Sequence, residues 1–83
     1  MNDNNDAERR SVYENAYRRE LDQSMRDVET AYETEVSRLI AEGWDADAAK
    51  NEAREAVRPM REQAEQAAER EGREAVADFD RWN

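Results

Sequence analysis

Residues 6–42 contain neither glycine nor proline, and the first glycine of the chain is followed at once by tryptophan and aspartate, in the stretch "EGWD" from Glu42 to Asp45. A long run without breakers, closed by one sharp punctuation mark, restricts the chain to a few folds. Leu21, Met25, Val28, Tyr32, Val36 and Leu39 recur at steps of four and three residues, one stripe of a helix. Tyr13 and Tyr17 extend the stripe backward. The spacing predicts a first helix over about residues 6–42, roughly 55 Å long at 1.5 Å per residue. Asn5 and Glu8 have the spacing of a capping box at its start, and residues 1–5 read as a flexible N-terminus.

Gly43 suits the left-handed position that ends a helix. Trp44 is then the next residue out, placed to contact Leu39 behind it and to staple onto Ala49 ahead of it. Asp45 is a good N-cap for a second helix, and its charge favours that helix's positive end. The second helix is predicted over 46–82, kinked near Pro59, which lacks a backbone donor. Its stripe runs through Ala49, Ala53, Ala56 or Val57, Met60, Ala64, Ala67 or Ala68, Ala75, Phe79 and Trp82. Gly72 weakens it locally or permits a close approach.

Folding at 43–45 predicts an all-α antiparallel helical hairpin, a single domain over 6–83. Position n then faces about 88 − n on the other helix. Leu39 meets Ala49, Val36 meets Ala53, Tyr32 meets Ala56, Met25 meets Ala64 and Leu21 meets Ala67. Large side chains oppose small ones, which allows close packing. Lys50, Arg54, Arg58 and Arg61 share one face, and the register pairs Arg54 with Glu35 and Arg61 with Asp27.

Composition tests this reading. The 83 residues are 42% charged with a net charge of −9, and Leu, Ile, Val and Phe number only nine. Such a balance belongs to disordered chains as well. The charges, however, keep helical phase: Asp6, Arg10, Glu14, Arg18, Asp22 and Arg26 alternate in sign every four residues. Each such pair supports a helix by roughly 0.2–0.5 kcal/mol. Fourteen alanines, the best helix formers, add to this. A hairpin so poor in large apolar residues has a thin core. Val12, Ala16, Ala31 and Ile40 read as a second apolar face on the first helix. Both features predict dimerisation into a four-helix bundle.

Chemistry is sparse. With neither cysteine nor histidine, thiolate nucleophiles, zinc-thiolate sites and the commonest general base are excluded. "DADAAKNEAREA" (45–56) starts like a calcium loop but has Lys50 where glycine belongs and Ala56 where the bidentate glutamate belongs. No cofactor, metal or catalytic residue is expected, and no enzyme. No apolar run reaches membrane-spanning length.

The expectation is a cytoplasmic, acidic, coiled-coil-like protein-interaction module, an accessory, adaptor or structural subunit that forms a homodimer. It is expected to bind a protein partner, with no direct nucleic-acid binding and no membrane contact. Its expected contact residues are Tyr13, Tyr17, Ile40, Trp44, Phe79 and Trp82. The alternative is an acidic inhibitor that mimics nucleic acid and occupies the groove of a DNA- or RNA-processing enzyme, of the anti-restriction or anti-CRISPR type. It would use Asp27, Glu29, Glu33, Glu35, Glu62, Glu65 and Glu69.

Overall fold

The computed structural model describes residues 3–82, with side chains from Asn5 onward. Two helices fill this span: α1 (Asp3–Ala41, 39 residues) and α2 (Ala46–Trp82, 37 residues). They pack against each other along their length as an antiparallel hairpin. The expected start needs correction. Asn5 is already helical and is not the N-cap, because α1 begins at Asp3. Asp6, in the first turn, suits the positive end of the helix dipole. Of the N-terminal segment read as flexible, Met1 and Asn2 lie outside the described residues.

The turn forms as its residues demand. Gly43 has φ of 100°. The Trp44 amide donates to the Leu39 carbonyl at 3.0 Å, and the Gly43 amide to the Ile40 carbonyl at 3.0 Å. These two bonds make a Schellman ending, and they satisfy carbonyls that the end of α1 would otherwise orphan. Asp45 then caps α2: its carboxylate accepts the Asp47 amide at 3.2 Å, and its carbonyl accepts the Ala49 amide at 2.8 Å. Arg38 in the last turn of α1 and Asp47 in the first turn of α2 also match the two helix dipoles.

Pro59 does not break α2, whose helical run is continuous from Ala46 to Trp82. The ring removes one amide, which costs the Glu55 carbonyl its helical partner. Glu55 and Pro59 are both exposed, so water can take that bond.

The core is a narrow seam. Val28 and Leu39 of α1 face Ala49, Ala53, Val57, Ala64, Ala68 and Gly72 of α2. Among the described residues, the buried side chains larger than alanine are Val28, Leu39 and Val57. Two seam expectations change. Ala56 is exposed, with Val57 taking the buried place, and Met60 is 38% exposed although it keeps the phase of the stripe. The buried positions Val28 and Leu39 are eleven apart, as are Ala53 and Ala64, and Val57 and Ala68. An eleven-residue period is about 3.67 residues per turn, close to the 3.6 of a straight helix. A period above 3.6 favours a right-handed winding of the two helices about each other.

The shape follows. The hairpin measures 63 × 18 × 14 Å, with a radius of gyration of 18.2 Å. A compact chain of this length has a radius of about 12 Å. The surface of 6384 Å² exceeds the roughly 5,100 Å² usual for a folded monomer of this mass.

Candidate functional site

Two helices side by side leave two flanks, a back on each helix, and two ends. One flank carries two open grooves in line. The first, about 460 Å³, is lined by Tyr13, Glu14, Tyr17, Arg18, Leu21 and Glu69. The second, about 330 Å³, is lined by Met25, Val28, Glu29, Tyr32, Arg54 and Arg61. The opposite flank has a groove of about 250 Å³ bordered by Ser24, Asp27, Met60 and Gln63. The back of α1 is polar, with Arg19, Asp22, Gln23 and Arg26.

The six expected contact residues do not form one patch. Tyr13 and Tyr17 are half-buried on the first flank, their rings stacked with centroids 5.9 Å apart and planes 20° from parallel. One helical turn separates them, so the stack follows from their i,i+4 spacing. Phe79 is half-buried near the open end of the hairpin. Trp82 ends α2 and is 81% exposed. Ile40 and Trp44, 47% and 43% exposed, stand at the turn, the far end of the 63 Å rod. Leu39 and Ala49, the two positions that Trp44 is placed to clamp, are buried.

Val12, Ala16 and Ala31 do not make a separate uncovered face. All three are half-buried along the hairpin seam, and Ile40 alone stands clear. The register explains this, since Val12 and Ala16 lie opposite Val76 and Gly72.

The acidic candidates divide in the same way. A step of 100° per residue puts Asp27 and Glu35 on one side of the α1 seam and Glu29 and Glu33 on the other. Glu62, Glu65 and Glu69 are exposed on α2. Glu29, Glu33, Glu62 and Glu65 make no ion pair among the described residues, whereas Glu69 lies 3.9 Å from Arg73.

The two expected interhelical pairs are absent. Arg54 donates to Asn51 at 2.8 Å, and Glu35 is held by Arg38 on its own helix. Arg61 and Asp27 line grooves on opposite flanks, so they cannot meet. Among the described residues, the interhelical ion pair that does form is Arg9 with Asp80, at 3.0 Å, across the open end. Both partners are about half exposed, so its contribution is modest, about 0–1 kcal/mol.

Electrostatics is otherwise local. Among the described residues no polar or charged side chain is buried, so no carboxylate is strongly desolvated. One local pair stands out, Glu35 with Arg38. Arg38 donates to Glu35 and also reaches Glu42. The hydrogen bond from Arg38, helped by its charge, holds the Glu35 carboxyl below its ordinary range, and Glu35 in turn raises Arg38.

Sequence reasoning missed two features. One is the flank itself. Leu21, Met25, Tyr32 and Val36 looked like core, yet all four remain half-exposed because their alanine partners are too small to cover them. The other is the partner of Gly72: the mid-helix glycine permitted a close approach, but nothing in the sequence named Tyr13 as the residue that makes it. Comparison with protein-family models, curated proteins and solved structures gave no match.

Proposed function

We propose that this chain is a non-enzymatic protein-interaction module, acting in the cytoplasm, whose first partner is a second copy of itself. The observation that carries the reading is the unfinished core. The hairpin exposes 6384 Å², about a quarter more than usual for its mass, and among the described residues only Val28, Leu39 and Val57 are buried side chains larger than alanine. Apolar side chains too large for their alanine partners remain half-exposed along one flank. Pairing two hairpins into a four-helix bundle would cover that flank and leave Trp82, Ile40 and Trp44 at the ends for another protein. Sedimentation equilibrium at micromolar concentration tests the first part. The expected mass is twice the 9.7 kDa of the chain. A single-chain mass up to about 100 µM would end the reading, since useful association at that strength is already only about 5–6 kcal/mol.

A second reading has one observation in its favour. Glu29, Glu33, Glu62 and Glu65 are exposed and have no ion-pair partner among the described residues. Such carboxylates, on a chain of net charge −9, could stand in for phosphates in the groove of a nucleic-acid enzyme. Binding of that kind falls steeply with salt and is abolished by charge reversal at Glu29, Glu33, Glu65 and Glu69. The module reading expects the reverse: weak salt dependence, and loss of the further partner on changing Phe79 and Trp82 together to alanine.

A further inference from the structure

We infer that the second copy lies antiparallel on the flank formed by Tyr17, Leu21, Met25 and Tyr32, with the two-fold axis passing beside Met25. This rests on the self-association proposed above and specifies its face and its symmetry.

The flank is wide enough for a stable interface. The flank is the broad side of a rod 63 Å long and 18 Å wide, a footprint of roughly 1,100 Å², against the ~800 Å² per partner of a standard interface. The two aligned grooves give that face relief into which side chains of the second copy can fit.

The distribution of charge decides the direction. On this flank the inner edge of α1 is apolar, with Glu14, Arg18 and Glu29 at its border, and the α2 half is charged. Along α2, Arg54, Arg58 and Arg61 lie toward the turn, and Glu65 and Glu69 toward the open end, where Arg73 follows 3.9 Å from Glu69, all exposed. Two hairpins stacked on one face can be related in two symmetric ways. A two-fold axis along the rod sets α1 of one copy over α2 of the other, so the apolar half meets the charged half. A two-fold axis across the rod sets α1 over α1 and α2 over α2, with the turns at opposite ends. Then apolar meets apolar, and the arginine stretch of each α2 lies over the glutamate stretch of the other. A two-fold interface is self-complementary, so each such pairing occurs twice. With the axis beside Met25, the opposite point on α2 falls near residue 63, and Arg58 faces Glu69 of the second copy.

The chain contains no cysteine, so one introduced thiol reports alone. Met25→Cys under mild oxidation is expected to form a covalent dimer, because a residue on the axis meets itself. Ala48→Cys, at the turn, is expected not to. Arg58→Glu is expected to weaken dimerisation by about ten-fold or more, and Arg58→Glu with Glu69→Arg in the same chain to restore it. Circular dichroism of each variant confirms that the helices persist. A wild-type chain that stays single overturns this inference and the self-association reading together. A chain that dimerises but fails either the Met25→Cys cross-link or the charge-swap rescue overturns the antiparallel arrangement and leaves self-association standing.

Discussion

The ring of Tyr13 on α1 occupies the space that a side chain on Gly72 of α2 would need. A methyl group built on Gly72 would sit 2.6 Å from Cε2 and 2.7 Å from Cδ2 of Tyr13, well inside contact distance. Gly72 is buried, and the Tyr13 ring also stacks on Tyr17. Two effects of Gly72→Ala therefore oppose each other. Helix propensity gains about 0.8–1.0 kcal/mol. Overpacking costs about 1–3 kcal/mol. The clash wins, and a net loss of about 1 kcal/mol is expected, about 4–8 °C in Tm for a chain of this size. In a Tyr13→Ala background the clash is gone, so Gly72→Ala should instead raise Tm. Thermal melts of the four chains of this cycle check it, and the same sign in both backgrounds would refute the account.

Gly43 tests the turn in a different way. No heavy atom lies within 4 Å of a methyl group built there, so Gly43→Ala meets no clash. The cost is conformational alone, because φ of 100° is unfavourable for an L side chain by about 1–2 kcal/mol. Gly43→Asn should cost less. Trp44→Ala should lose about 1–2 kcal/mol, less than the 3–5 typical of a fully buried large aromatic, since Trp44 is 43% exposed. Urea titrations of the three variants give the ranking. An unchanged melt for Trp44→Ala would move its role from fold to partner contact.

Pro59 lies exposed within a continuous helix. Replacing it by alanine restores an amide for the Glu55 carbonyl and removes a residue that costs about 3 kcal/mol in a helix interior. Pro59→Ala should stabilise the hairpin by about 1–3 kcal/mol. A loss of stability would show that the seam depends on a bend set by proline.

The Glu35–Arg38 pair makes stability depend on pH in a defined direction. The carboxyl of Glu35 is lowered in the folded chain relative to its unfolded value. The folded form therefore binds the proton less well, and the contribution is present above the unfolded pKa and lost as pH falls through the folded one. The Tm difference between the wild-type chain and Glu35→Gln should accordingly be constant near neutrality and shrink below the ordinary carboxylate range. Both side chains touch solvent, so the effect is small. Carboxyl-detected NMR should find Glu35 titrating below its ordinary value, and a normal midpoint would remove the prediction.

Local chemistry decided much of this protein. The breaker-free run, the four- and three-residue steps, and the Gly43–Trp44–Asp45 turn are legible because each acts over a few residues of chain. The Schellman bonds and the Asp45 cap form where those residues stand. Even the antiparallel register follows from a short turn, and Arg9 with Asp80 obeys it. Rotation about each helix axis is another matter. A stripe of period near 3.6 is wide, and only the packed pair of helices selects which edge of it is sealed. That selection buried Val57 instead of Ala56, left Met60 exposed, and put Arg61 and Asp27 on opposite flanks. It also turned Leu21, Met25 and Tyr32 into a flank, because the alanines facing them cannot cover them. Gly72 and Tyr13 meet for the same reason. They lie far apart in the chain, and the fit of one ring over one missing methyl group exists only when both helices are in place.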